Sequence, residues 1–173
     1  GLADRTVIIY TGDNGFFLGE HGLAGKWFPH EESIRVPLVV YDPRQPDSRR
    51  GMRRKEMVLS IDIAPTICDL AGVEPPDAMQ GQSLVPLLNN EDTSWRKEWL
   101  YEHLFAHPRI PENEGIRTDR WKYMVFQVDP PWEVLYDLTQ YPGETRNLAN
   151  DAQYESVVTE MRQKLALWRE KAK

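Results

Sequence analysis

Residues 11–43, TGDNGFFLGEHGLAGKWFPHEESIRVPLVVYDP, place many polar and charged side chains between two apolar runs. The runs, Val7–Tyr10 and Val36–Tyr41, are rich in β-branched residues and predict strands that are buried on both faces. Asp13 and Asn14 follow the first run directly. Ligands of open α/β sheets bind at the carboxyl ends of strands, so this segment is predicted to carry the functional site.

The Asp13–Asn14 pair has the donor chemistry of a divalent-cation site. A carboxylate and an amide oxygen are hard ligands that suit Ca²⁺ or Mg²⁺. Taken alone, an Asp-Asn-Gly sequence is more often a turn. Four glycines follow within eleven residues and allow tight folding, and Lys26 lies twelve residues after Asn14. A lysine beside a metal would suit an anionic ester substrate.

The rest of the chain predicts an α/β fold in two domains, 1–94 and 95–173. SIDIAPTICDLAG, residues 60–72, predicts a helix that Asp62 caps and Gly72 ends. After Trp95, three stretches indicate strands of an antiparallel sheet: EWLYEHLF, IRTDRWKYMVF and WEVLYDL. Apolar residues at three- and four-residue spacing predict a final helix over residues 151–171.

Composition narrows the range of partners. The 173 residues hold 27 acidic and 21 basic side chains, a net charge of −6, which argues against nucleic acid or an anionic membrane as partner. No run of 18 apolar residues suggests a transmembrane span. Cys68 is the single cysteine, so an internal disulfide is excluded.

Four stretches, in order, carry a family resemblance. DNGFFLGEHGLAGKW with EESIRVPLVVYDPR, IDIAPTICDLAGVEPPDAMQGQSLVPLL, GIRTDRWKYMVF and VLYDLTQYPGETRNLA resemble the C-terminal part of the type I sulfatases, in the alkaline phosphatase superfamily. The resemblance implies the C-terminal portion of that α/β fold, with a small antiparallel sheet and a C-terminal helix as a subdomain. A periplasmic or secreted location is usual in that family, and the sequence leaves the location open.

The resemblance also implies roles for individual residues. Asp13 and Asn14 match the pair that binds a divalent cation, calcium first and magnesium as the alternative. Lys26 matches the lysine that contacts the sulfate group, a catalytic and a substrate-binding role. His103 and Arg117 lie in a region that faces the substrate pocket in the family, so substrate contact is expected of them.

Two further residues have a less definite reading. His21 is either a proton donor or a hydrogen-bonded loop residue, and the second reading is favoured. Arg35 is expected to form an ion pair with Glu31 or Glu32 that holds the loop.

One family feature is missing. The formylglycine nucleophile arises from Cys or Ser in a C/S-x-P-x-R motif, and this chain has no such motif. The nucleophile is therefore expected outside this chain, and the chain alone is expected to be an inactive part of a longer protein. Its incomplete sheet is expected to expose an apolar face and to favour self-association.

The function implied for the longer protein is hydrolysis of a sulfate ester on a sulfated sugar, glycan or aryl alcohol. Two alternatives stay open. One is a phosphodiester or phosphonate monoester hydrolase of the same superfamily. The other is a non-catalytic carbohydrate-binding or scaffold domain.

Overall fold

The computed structural model describes residues 1–105 and 107–172. Within that part of the chain the strands are β1 (Ile8–Thr11), β2 (Phe17–Leu18), β3 (Ala24–Gly25), β4 (Leu38–Tyr41), β5 (Glu98–His103), β6 (Asn113–Thr118), β7 (Trp121–Phe126) and β8 (Trp132–Asp137). The α-helices are α1 (Glu31–Ile34), α2 (Ile63–Leu70), α3 (Val85–Leu88) and α4 (Glu155–Lys171). The mixed α/β composition, with small antiparallel sheets and a C-terminal helix, confirms the predicted fold class.

The chain divides into two compact units, and each is described by itself. The first contains residues 1–13 and 36–96, and the second contains residues 14–35 and 97–173. The predicted domains, 1–94 and 95–173, stay a prediction, because compact units do not by themselves define domains. Among the described residues, no helix is both long and apolar enough to cross a membrane.

In the first unit, β1 and β4 form an antiparallel pair that confirms both predicted strands. The prediction that both faces of these strands are buried was wrong. Ile8 lies opposite Tyr41, and Tyr10 lies opposite Val39. Because directly opposite side chains in an antiparallel pair share a face, these four lie on one face of the ribbon. That face is exposed, with Tyr10 at 65% and Val39 at 58% of full exposure.

Helix α2 of the first unit confirms the predicted helix but not its predicted cap. Asp62 precedes the helix, yet its carboxylate does not bond a helix N–H. It accepts instead from the backbone N–H groups of Leu59 and Gln82, each at 2.8 Å, and from the guanidinium of Arg96. Burial of a carboxylate is unfavourable unless charged or polar groups bind it, so Asp62 binds these partners and leaves the helix N–H groups uncapped. Gly72 has φ +70°, as the predicted left-handed helix end requires.

The second unit is built on a four-stranded antiparallel sheet in the order β5-β6-β7-β8. EWLYEHLF and WEVLYDL contain β5 and β8 as predicted, whereas IRTDRWKYMVF is not one strand but the end of β6, a turn and β7. Alternation along β7 sends successive side chains to opposite faces of the sheet. Tyr123 belongs to one core cluster, with helix α4. Met124 and Phe126 belong to another, against which Phe28 packs.

Helix α4 covers the first of these faces with the predicted apolar stripe. Val158, Met161 and Leu165 are each no more than 3% exposed and pack in one cluster with the sheet. Asp151 caps the turn that leads into this helix, because its carboxylate accepts from the Gln153 N–H at 3.1 Å. A 3-10 turn over Ala152–Tyr154 precedes the α-helix, which therefore begins four residues later than predicted.

Candidate functional site

Residues 14–35, here called the site segment, form a compact loop within the second unit. Phe17, at the start of β2, is fully buried and anchors the loop. Strands β2 and β3 pair as a two-residue ribbon. Gly15 donates its N–H to the Ser33 carbonyl at 2.8 Å, and a Cβ at Gly15 would lie 2.0 Å from the Glu32 carbonyl oxygen. Glycine is therefore required where the two ends of the segment touch.

The structure brings together two of the predicted site residues. The Lys26 ammonium donates to the side-chain oxygen of Asn14 at 2.7 Å, although the two residues are twelve positions apart. The Asn14 amide nitrogen donates to the Gly15 carbonyl at 2.8 Å, which fixes the orientation of the Asn14 side chain. Lys26 is exposed to solvent. The segment thus holds a positive charge at the oxygen that was predicted to bind a cation.

The donor set of this chain accounts for only part of a cation site. Asp13 and Asn14 have the oxygen chemistry of calcium ligands, but calcium takes six to eight oxygens. Among the described residues, no group of three or more His, Cys, Asp or Glu side chains could hold a metal ion. Asp13 and Asn14 therefore fit a divalent cation in kind, and as two oxygens they fall short of the number that calcium takes.

Two histidines lie against each other inside the site segment. The ring centres of His21 and His30 are 4.2 Å apart, and His21 Nε2 lies 3.3 Å from a carboxylate oxygen of Glu32. The distance is that of an ion pair, and this Glu32 oxygen accepts no hydrogen bond within the described residues, so the reading of His21 as a hydrogen-bonded loop residue stays a prediction. His30 Nε2 lies 3.3 Å from the Tyr136 hydroxyl. Burial, and then the neighbouring His21 and Lys122, lower the pKa of His30 to about 4.

A buried charge cluster joins the site segment to the sheet. Lys122 in β7 is fully buried; its ammonium donates to the Pro29 carbonyl at 2.9 Å and pairs with Glu31 at 2.8 Å and Glu144 at 2.6 Å. Arg117 in β6 is a second cation beside Glu31, at 3.3 Å.

The ion pair expected between Arg35 and Glu31 or Glu32 is not found among the described residues. Glu31 pairs instead with Arg117 and Lys122, and Glu32 lies against His21.

The pKa values of the two acids in this cluster shift in opposite directions. Burial raises the pKa of Glu144, and the attraction of Lys122 offsets only part of that rise. Burial also acts to raise the pKa of Glu31, but Lys122 and Arg117 together lower it below its usual value. The difference follows from the number of cations that face each carboxylate: two for Glu31 and one for Glu144.

The last predicted site residue, His103, lies at the end of β5 in an aromatic cluster. The Trp27 ring is centred 5.6 Å from the His103 ring and 5.2 Å from the Phe105 ring. Trp27 has φ +93°, which is unusual for a bulky residue, and its N–H is held by the Ser33 hydroxyl at 3.1 Å. The cluster places His103 close to the residue that follows Lys26. Substrate contact by His103 and Arg117 stays a prediction.

Comparison with known proteins decides the family. The model of the family described as N-sulphoglucosamine sulphohydrolase, C-terminal, matches residues 19–171. The chain belongs to this sulfatase family. Its resemblance to the C-terminal part of sulfatases, within the alkaline phosphatase-like superfamily, is thereby confirmed.

Two sequence relatives illustrate the range of this sulfatase family. The chain is 39% identical over 172 residues to an N-acetylglucosamine-6-O-sulfatase of Bacteroides thetaiotaomicron, covering 95% of the chain and 30% of the relative. It is 36% identical to the multifunctional alkaline phosphatase superfamily protein PehA of Trinickia caryophylli, covering 98% of the chain and 35% of the relative. The chain thus spans about a third of the length of the curated relatives it matches.

Solved structures agree with the sulfatase assignment. A protein in complex with its substrate D-glucosamine-2-N,6-O-disulfate superposes with a TM-score of 0.80 at 35% identity, covering 96% of this chain and 34% of that one. The phosphonate monoester hydrolase of Agrobacterium radiobacter superposes with a TM-score of 0.85 at 31% identity, covering 97% and 36%.

Lys122 and Glu144 were not among the residues predicted from the sequence. Lys122 stands inside RWKYMVF, a strand that is otherwise buried from Tyr123 to Phe126. Alternate residues of a strand share a face, and a lysine on a buried face is rare unless it has a charged partner. A lysine within this apolar stretch was therefore the feature that could have indicated a buried ion pair. Glu144 has φ +50° and lies in VLYDLTQYPGETRNLA, a stretch that carried the family resemblance but no predicted site residue. Its burial depends entirely on the fold of this sulfatase unit.

Proposed function

We propose that this chain is the C-terminal part of a sulfatase that hydrolyses the sulfate ester of a sulfated sugar. The observation that carries the proposal is the Lys26–Asn14 contact at 2.7 Å, in a chain that belongs to the sulfatase family. An exposed lysine that a neighbouring amide holds in place can bind a sulfate oxygen and neutralise charge that develops on it. The sugar ester is favoured because the relatives above include an N-acetylglucosamine-6-O-sulfatase and a protein bound to a glucosamine disulfate.

The nucleophile is proposed to lie outside this chain, and the other parts of the mechanism are proposed to include residues of this chain. A formylglycine would supply the nucleophile, and no residue of this chain takes that role. A divalent cation, calcium before magnesium, would polarise the ester when bound, with Asp13 and Asn14 as two of its oxygen ligands. Lys26 acts here as the substrate-binding and charge-stabilising residue, and His103 and Arg117 are proposed to contact the alcohol that leaves.

A phosphonate or phosphodiester hydrolase is the second candidate. The likeness to a phosphonate monoester hydrolase, with a TM-score of 0.85, favours it, as does the relationship to PehA. Sulfate and phosphonate monoesters are both tetrahedral anions, and one lysine can bind either. The site segment by itself therefore supports both substrates.

Turnover on paired substrates separates the two candidates. We expect a protein of the relatives' length that contains this chain to release sulfate from N-acetylglucosamine 6-sulfate faster than it cleaves an aryl phosphonate ester. Aryl sulfate is the third substrate and tests whether the sugar is needed. Faster phosphonate cleavage would transfer the assignment to the second candidate, and no turnover of any of these esters would contradict both.

A further inference from the structure

The buried ammonium of Lys122 has three partners, and two of them belong to the site segment. It donates to the Pro29 carbonyl at 2.9 Å and pairs with the Glu31 carboxylate at 2.8 Å. Its third partner is Glu144, at 2.6 Å, in the loop after β8. Alternation along β7 places Lys122 on the same sheet face as Met124 and Phe126, and the site segment packs on that face through Phe28.

Glu144 completes the attachment of the segment. Its other carboxylate oxygen accepts the Glu31 backbone N–H at 2.6 Å. That N–H stands at the start of helix α1 and has no acceptor within the helix. Lys122 and Glu144 therefore hold the segment at a carbonyl, a carboxylate and an N–H. The cluster is electrically balanced, because Lys122 and Arg117 carry two positive charges and the two glutamates carry two negative ones.

Stabilisation of the fold alone does not explain a buried charge cluster of this kind. Buried ion pairs often contribute no more than well-packed apolar residues of the same volume, because both charges lose their water. Where a buried charge is kept, it can fix one geometry among several apolar alternatives. Here the fixed backbone is Pro29–Glu31, three to five residues after Lys26. The Ser33 hydroxyl holds the Trp27 N–H in addition, so Lys26 itself is exposed on a segment fixed immediately behind it.

We infer that Lys122 and Glu144 are positioning residues that hold the site segment so that the Lys26 ammonium meets the sulfate group of the substrate. They act through the backbone of Pro29–Glu31 and do not touch the substrate. The part of the inference that concerns Lys26 and sulfate rests on the proposed function. The part that concerns attachment of the segment does not.

Hydrogen exchange tests the attachment without any assay of activity. In a protein of the relatives' length, Lys122→Met removes the ammonium and keeps most of the side-chain volume. We expect backbone amides of residues 26–35 to exchange about tenfold faster or more, with strand β6 unchanged. Lys164→Met is the matched control. Lys164 pairs with Glu98 at 2.6 Å, and neither residue belongs to the site segment. Equal protection of residues 26–35 in both variants would overturn the inference.

Kinetics test the link to Lys26. We expect Lys122→Met to lower kcat/KM for a sulfate ester by about ten- to a hundredfold, with a raised KM, because displacement of a binding group by about 1 Å has effects of this size. A variant that is merely less stable has fewer active molecules, so its apparent kcat falls and its KM does not change. In a protein that already carries Lys26→Ala, Lys122→Met should lower kcat/KM by less than a further threefold. If the double variant loses the product of the two single losses in kcat/KM, or if Lys122→Met leaves KM unchanged, the inference is overturned.

A second variant keeps the test decisive if Lys122→Met does not fold. Glu144→Gln keeps an oxygen that can accept the Glu31 N–H and removes one charge, and the same two measurements apply to it. We expect faster exchange over residues 26–35 and a raised KM. Wild-type exchange and wild-type KM would overturn the inference. If the protein hydrolyses no ester at all, the proposed function fails, while the exchange result still decides whether the segment is held by Lys122 and Glu144.

Discussion

The rings of His21 and His30 lie 4.2 Å apart at their centres and 33° from parallel, so two imidazoles share one small space in the site segment. The two side chains differ in their surroundings. His30 is 9% exposed and faces Phe17 and Tyr136, whereas His21 reaches the Glu32 carboxylate. Lys122 also acts on His30 by charge repulsion. A proton on His30 would therefore be buried beside two groups that carry or can carry positive charge.

This environment predicts a loss of stability in mild acid. The pKa of His30 is about 4 in the fold and about 6.5 in an unfolded chain, so between these values the unfolded state binds more protons. The contribution of His30 is fully present above pH 6.5 and is lost as the pH falls towards 4. We expect up to about 3 kcal/mol of this dependence to disappear in His30→Gln, measured by urea unfolding at several pH values. Identical pH slopes in the variant and the parent would contradict this prediction.

Lys26→Ala should abolish most catalysis in the full-length protein. Loss of one preorganised charge-stabilising group lowers turnover by about 100- to 1000-fold. Lys26→Arg should restore little, because a planar guanidinium does not replace a compact ammonium beside Asn14. Steady-state sulfate release is the measurement, with the exposed Lys97→Ala as the control. Activity within twofold of the parent would make Lys26 an ordinary surface lysine.

Asp13→Ala should reduce both bound cation and activity by orders of magnitude in the full-length protein. The substitution removes one charged oxygen ligand, and with it affinity and polarising charge. Metal content after dialysis, by elemental analysis, is the direct readout, and Asp119→Ala is the control. An unchanged metal content with unchanged turnover would remove Asp13 from the metal site.

Arg96→Met should strongly destabilise the first unit. The Asp62 carboxylate is fully buried, and the guanidinium of Arg96 contacts both of its oxygens. Removal of one partner of a buried pair leaves an uncompensated charge and costs about 3–5 kcal/mol. The control is Arg50→Met, which breaks the exposed pair with Asp47 and should cost no more than about 1 kcal/mol. Similar denaturation midpoints for the two variants would show that burial of Asp62 has little effect on stability.

The 173-residue chain studied alone should self-associate through the exposed face of the β1–β4 ribbon. Tyr10 and Val39 are paired across that face and are both more than half exposed. Replacing both by Thr should lower the apparent mass in light scattering, because it removes contiguous apolar surface. Leu167→Thr, on an equally exposed position of helix α4, should not change it. A monomeric parent chain would exclude this face as a site of self-association.

The sequence by itself determined the family and the longer helices and strands. Strand patterns predicted three stretches of the larger sheet but not the turn that divides one of them into β6 and β7. Three- and four-residue spacing predicted helix α4, and Gly72 marked the end of helix α2. These patterns are local, so they can be read without knowing the fold. The stretch from Asp13 to Lys26 offered Asp13, Asn14 and Lys26 as candidate site residues, because the ligand and charge chemistry of a side chain can be read from its residue type.

Only the tertiary structure decided which charges meet. In the fold, Lys26 binds Asn14. Glu31 pairs with Arg117 and Lys122, although Arg35 was the expected partner. The Asp62 carboxylate pairs with Arg96 and does not cap its helix. The tertiary structure also exposed one face of a ribbon that the sequence predicted to be buried on both sides. Ion pairs form between residues far apart in the chain, and a charged side chain is equally compatible with solvent or with a buried partner. The choice between them depends on which faces the folded chain covers, and local sequence does not contain that information.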